Sequence, residues 1–221
     1  MVNAPAVPMT AKKSDRTRQA VLDAAARLFA RKGYAGTNLA EIAAEAGIQT
    51  GSLYYHFESK DELVGEVLRF GTAHSHEHAR SAVAALGARA SAVARLRAAI
   101  EAHLDSLHHL GDYALAGLRI VEQAPQPIRR NQYANQRRYG EYWQTLLENA
   151  QAESALPTGV DLLALRLFLF DAMNGTVSWP ASARRSTTEL ANTLIRVVTR
   201  SAPSRRRRGE RLRGKAARGL G

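Results

Sequence analysis

Cysteine is absent from the 221 residues. That removes a disulfide scaffold, a thiolate zinc site, an iron–sulfur cluster and a cysteine nucleophile together. Long apolar runs are absent too. A membrane-spanning helix needs about 20 consecutive apolar residues, and the longest candidate, Leu162 to Phe170, is short and carries Arg166 at its centre. The stretch MVNAPAVPMTAKK has no apolar run behind a basic end, so no secretory signal is expected. A cytoplasmic protein without a membrane partner is the expectation. No G-x-S-x-G elbow, G-x-G-x-x-G, Walker loop or H-E-x-x-H occurs, so neither an enzyme nor a bound cofactor is expected.

Positive charge is plentiful: 31 Lys and Arg stand against 20 Asp and Glu, a net +11. The surplus is uneven. Residues 205–221 hold eight basic residues and one acid, a net +7, whereas residues 1–62 carry +1 and residues 63–204 carry +3. Such a basic run is either a solvated tail or a sequence-blind grip on nucleic-acid phosphates. Hydrophobic residues make up 45% of the chain, enough for a sizeable core.

The pattern predicts an all-α fold, because Ala is abundant and apolar spacing is mostly three and four. Helices are predicted at about 14–32, 38–46, 50–57, 60–84, 88–110, 113–123, 127–152, 160–178 and 187–200. Gly33 and Gly47 stand where left-handed helix ends require glycine. Asn38 with Glu41, Ser59 with Glu62 and Ser186 with Glu189 match the capping-box spacing. The stretch from Leu39 to Phe57 fits a helix-turn-helix. Ala43 permits close helix crossing, Gly47 makes the turn, and Ile42, Ala46, Ile48 and Leu53 seal the pair.

From Arg16 to Leu63 the strings AVLDAAARLFARKGYAGTNLAEIAAEAGI and TGSLYYHFESKDEL resemble the TetR family of bacterial transcriptional regulators. The resemblance implies a three-helix DNA-binding domain over 15–62 and a larger helical ligand-binding and dimerisation domain over 63–201. A flexible basic arm is expected over 1–14 and a disordered basic tail over 202–221. It implies a homodimeric repressor that leaves a double-stranded DNA operator when a small, largely apolar or amphipathic effector binds. Helix 4 is expected to set the spacing of the reading heads. Thr50, Gly51 and Ser52 are expected in the major groove. Tyr54, Tyr55 and His56 are expected on phosphates and thymine methyls, and Thr37 and Lys60 on phosphates. Lys12, Lys13, Arg16 and Arg18 are either a minor-groove arm or solvated.

The helix predicted at 160–178 is apolar on nearly every face, so every face needs cover. With 187–200 it is expected to pair with a second subunit, the alternative being the core of a monomer. Tyr113, Leu118, Tyr139, Trp143, Met173, Asn174 and Trp179 are the candidate lining of an effector pocket. SKDELVGEVL and the later NGTVSWP are similar to TetR-type repressors of lipid and sterol breakdown, which implies a lipid or acyl-CoA-type effector. Two alternatives remain. One is a nucleoid-type protein that binds DNA without sequence preference. The other is a metal-sensing regulator built on His74, His76 and His78, with His103, His108 and His109 nearby.

Overall fold

The computed structural model describes residues 13–199. The expected tail over 202–221 and nearly all of the expected arm lie outside the described residues. Lys13 and Ser14, assigned to the arm, instead belong to the first helix. Among the described residues the chain is all-helical: α1 (Lys13–Lys32), α2 (Leu39–Glu45), α3 (Thr50–His56), α4 (Lys60–Ala85), α5 (Ala92–His109), α6 (Gly111–Ile120), α7 (Gln126–Ala152), α8 (Leu162–Gly175) and α9 (Thr187–Val198).

Local chemistry sets most helix ends. Gly33 and Gly47 take φ of +74° and +70°, a conformation that costs other residues a Cβ clash. Asn38, Ser59, Ser91 and Ser186 accept a backbone N–H from three residues on, satisfying an otherwise orphaned donor. The reciprocal half of the capping box forms only at Ser186. Glu41 turns instead to Lys32, and Glu62 accepts from the Glu58 N–H. The helix expected from 88 starts four residues later, because Gly87 (φ +73°) closes α4 and Ser91 caps α5. The helix expected to 178 ends at Gly175 and runs on as a short 3-10 turn over Thr176–Ser178.

Two apolar cores result. The first gathers α1, α2, α3 and the start of α4 around Val21, Leu22, Phe29, Ile42, Leu53, Phe57, Leu63 and Val67, and it also takes in Tyr113, Ala116 and Ile120 of α6. The second joins α5, α7, α8, α9 and the far half of α4 around Leu96, Ile100, Leu104, Trp143, Leu147, Leu169 and Met173. The break expected between residues 62 and 63 is therefore not where packing divides, since α4 and α6 both contribute to the first core.

Ion pairs fasten the first core at its rim. Glu45 meets Arg27 and Arg31 of α1, and Glu41 meets Lys32, which ties α2 to α1. Glu66 of α4 meets Arg18 and Arg69, each at 2.7 Å. Hydrogen bonds from these guanidinium groups, Arg69 foremost, hold the Glu66 carboxyl below its ordinary 4.5, at about 2. A depressed carboxyl pKa contributes stability above the unfolded value that is lost as pH falls through the folded value. Glu66→Gln should therefore lower Tm at neutral pH. Its deficit against wild type should close as pH is taken from about 4.5 down through about 2, as thermal melts at stepped pH will read; a deficit independent of pH contradicts the ion-pair account.

Candidate functional site

α3 uses few residues for packing. Leu53 and, just past its end, Phe57 are buried in the first core, and the helix packs on α2 and α1. The Arg18 guanidinium lies 4.8 Å over the Phe57 ring and closes the edge of that anchor. The rest of α3, His56 only in part, faces outward. Thr50, Gly51 and Ser52 are exposed at the N-terminal turn, and nothing lies within 4 Å of where a Gly51 side chain would stand. Tyr54 is 53% and Tyr55 82% exposed, while His56 is half-buried with its ring edge-on to Tyr55 at 5.2 Å. Six of the eight residues expected to meet DNA thus share one short, outward helix.

The other two point inward. Thr37 is buried, and its hydroxyl donates to Gly33 O at 2.8 Å, so its one donor is spent closing the α1–α2 turn. The Lys60 ammonium donates to Tyr34 O at 3.0 Å and Thr37 O at 3.1 Å, and it lies 4.1 Å over the Tyr34 ring. Here it is a clamp on the same turn. Residue type alone does not reveal this, because the two carbonyls it satisfies belong to a loop more than twenty residues away. Lys13 and Arg16 are exposed on the first turn of α1, whereas Arg18 is committed to Glu66.

A cavity of about 390 Å³ lies between α4, α5, α6, α7 and α8. Four of the candidate lining residues, Tyr113, Leu118, Tyr139 and Asn174, border it. Three do not. Trp143 and Met173 are wholly buried in the second core, and Trp179 lies on the surface. His103, Gln132 and Arg166, absent from that candidate set, do border it. His103 bonds to Tyr139 Oη (2.9 Å) and to Asn174 Oδ1 (3.3 Å), and complete burial pushes its pKa down to about 4, so it sits there as a neutral ring. Gln132 donates to Thr72 at 2.9 Å, which leaves its buried Oε1 without a donor.

Of the first-core residues that border the cavity, Tyr113 also bonds to α1. Tyr113 donates from its hydroxyl to Asp23 Oδ1 at 2.7 Å and accepts from Gln19 Nε2 at 3.1 Å, both on α1. Burial and the Asp23 carboxylate push that phenol far above its ordinary pKa, so it remains a donor. At the other end of α6, Arg119 donates to Ala30 O and Gln123 accepts from the Tyr34 N–H.

The histidines do not converge. His76 stacks on Tyr139, His78 bonds to Ser106, His108 to Thr176 and His109 to Asp105 O. Among the described residues no three His, Asp or Glu side chains are grouped to hold a metal ion. No helix of the described residues is long and apolar enough to cross a membrane.

Two family models match the chain. One described as bacterial regulatory proteins, tetR family, covers residues 21–67, and one described as tetracyclin repressor-like, C-terminal domain, covers residues 89–202. The HTH-type transcriptional repressor KstR2 of Rhodococcus jostii is 52% identical over 60 residues, which is 27% of this chain and 29% of that protein. The ketosteroid transcriptional regulator KstR2 of Mycobacterium tuberculosis superposes with a TM-score of 0.73 at 22% identity, over 90% of this chain and 99% of that one. AibR, solved in complex with isovaleryl coenzyme A and operator DNA, superposes at 0.70 with 23% identity, over 82% and 97%.

The inward Lys60 predicts a stability phenotype. Lys60→Met should destabilise the chain by about 1–3 kcal/mol, the cost of leaving acceptors unsatisfied, measured by denaturant unfolding. Unchanged stability would show that the ammonium is not a clamp.

Proposed function

The chain belongs to the TetR family of bacterial regulatory proteins, and on that premise we propose that it is a homodimeric, effector-responsive DNA-binding regulator, acting as a repressor. The observation that carries this reading is α3: two residues anchor it, and the rest of the helix is offered to a partner. Small groups at its first turn allow the backbone N–H groups and the positive end of the helix dipole to approach phosphates and base edges. The exposed phenols of Tyr54 and Tyr55 supply hydroxyl donors for phosphates and ring edges for thymine methyls.

The dimer reading is supported by α8 and α9. Leu163, Leu167, Phe168 (70% exposed) and Val197 are left in solvent by a single chain. Four large apolar side chains on the last two helices favour a second copy over water. A twofold dimer then presents two α3 helices to two half-sites.

The cavity is the seat for the effector. Its wall is mostly apolar, with neutral polar groups at His103, Gln132 and Asn174. That suits an amphipathic metabolite of the lipid or acyl-CoA type. Two fold neighbours, one a ketosteroid regulator and one solved with isovaleryl coenzyme A, favour the same class. An effector that binds one arrangement of α6 better than another shifts α1 through Tyr113, Asp23 and Gln19. α1 carries α2 and α3 with it through Glu41 and Glu45. This route adds α6 to α4, the helix expected to set the spacing of the reading heads. Coupling then equals the difference in effector affinity between the two arrangements.

Two experiments test this. In a footprint against competitor DNA, wild type should protect a near-palindromic site. Tyr55→Ala should lose affinity at that site with the fold intact, and the salt slope should hold because no charge is removed. Uniform binding to all sequences would point to a nucleoid-type protein instead. Tyr113→Phe should bind effector as before yet lose several-fold of the effector's power to weaken operator binding. Unchanged coupling, measured as the ratio of operator affinities with and without effector, would remove Tyr113 from the route.

A further inference from the structure

The geometry points to an effector with an anionic head: Arg166 of α8 is an open anion seat at the mouth of the effector cavity, and the class of ligand it selects is an amphipathic carboxylate or phosphate. This rests on reading the cavity as the effector site and adds the charge that the effector must carry.

Among the described residues, Arg166 is the one charged side chain that borders the cavity, and no carboxylate borders it. Its Nη1 donates to Gly140 O at 2.9 Å. Among the described residues it takes part in none of the ion pairs, which fall on other arginines and lysines. A guanidinium carries five donors in a planar fork, so most of this one is unclaimed by protein. Arg166 is half-buried, which weakens its hydration without supplying a counter-charge. The guanidinium lies close against the α7 backbone at Gly140, where a Cβ would stand 3.4 Å from its central carbon.

The position suits a head group rather than a buried anchor. Of the residues bordering the cavity, Leu118 and Gln136 are exposed and lie away from the face assigned to a second copy, so the opening lies beside them. The Gly140 on which Arg166 packs lies one helical turn beyond Gln136. Deeper in, Leu68, Leu107, Leu110 and Phe170 give an apolar wall, and His103 is neutral. An apolar body therefore points inward and the charge outward. Arg137, exposed on α7 and three residues before Gly140, adds positive charge on that side, with the exposed Glu141 as the nearest acid along the helix. A carboxylate needs Arg166 alone, whereas a phosphate of higher charge draws on Arg137 as well.

The test uses four ligands of one chain length on the full chain: decanoate, decyl phosphate, decanol and decylamine. Binding is read by calorimetry and by fluorescence of Trp143, whose ring centroid lies 5.4 Å from that of the cavity-lining Phe170. Both anions should bind wild type at least about tenfold tighter than decanol, the size expected of a charge-assisted bond, and decylamine should bind weakest. Arg166→Met should erase the anion preference and leave decanol affinity in place, a pattern that a merely structural arginine would not produce. Arg137→Met should weaken decyl phosphate more than decanoate if phosphate is the natural head, and neither if carboxylate is. Equal binding of decanol and decanoate to wild type, or a preference that survives Arg166→Met, overturns the anion seat while leaving the cavity a binding site. Failure of all four to bind wild type overturns the cavity reading and the seat together.

Discussion

The structure turns on how α1 is enclosed. Val21, Leu22, Ala24, Ala25, Ala26, Leu28 and Phe29 are all buried, more of the circumference than a surface helix normally covers. Three successive alanines allow neighbouring helices to close in without side chains holding them apart. α2 and α3 pack on one part of this helix, the start of α4 on another, and α6 on a third. Interiors at crystal-like density have discrete packings rather than a continuum. A shift of α6 against α1 is thus not absorbed locally; it is passed to the reading head or resisted. On the proposed route, the hydrogen bond from the Tyr113 hydroxyl to the Asp23 carboxylate therefore matters more than its own bond energy.

Helix ends were largely legible from residues because the physics there is local. Gly33 and Gly47 occupy the positive φ that a helix end demands, and a serine or asparagine three residues before a free N–H is enough to cap it. α3 was legible for a related reason: in a seven-residue helix, the spacing of Leu53 and Phe57 leaves little doubt about which face is inside. The errors involve distance. Thr37 and Lys60 are polar residues near a presumed surface, and nothing in the linear pattern shows that Gly33, Tyr34 and Thr37 carbonyls need them. Trp143 and Met173 have the chemistry of pocket residues, and only the meeting of α7 with α5 and α8 puts them behind the wall. Gln132 and Arg166 were missed because a polar residue on an otherwise exposed or apolar helix becomes a cavity residue only once its neighbours are in place.

α8 shows how a pattern can be informative yet incomplete. Its near-continuous apolar sequence requires cover on every side, but only Leu169 and Met173 are fully buried in the single chain. Leu163, Leu167 and Phe168 remain outside. The unmet side is the argument for a second copy, and the met side is where Arg166 and Phe170 border the cavity. One helix would then serve both association and effector capture, so the two need not be energetically independent.

Charge gives the last step. A net +11 suggests binding by phosphate neutralisation, but +7 of it sits beyond residue 204. Within the head, most cations are engaged internally: Arg27, Arg31 and Lys32 by Glu41 and Glu45, Arg18 by Glu66, Lys60 by backbone carbonyls, while Lys13 and Arg16 stay exposed on the first turn of α1. Sequence-blind binding scales with free cations at the interface, and α3 itself carries no lysine or arginine. What α3 has is small residues, open space beside Gly51, two exposed phenols and a positive helix end. These act over short range and depend on fit, so they favour a matched groove over the average one. A head with no cation on α3 relies on fit more than on summed charge, so in the proposed regulator discrimination comes ahead of non-specific affinity. On the same proposal something else must move the head, and the candidate is α6, which Tyr113 joins to both the cavity and α1.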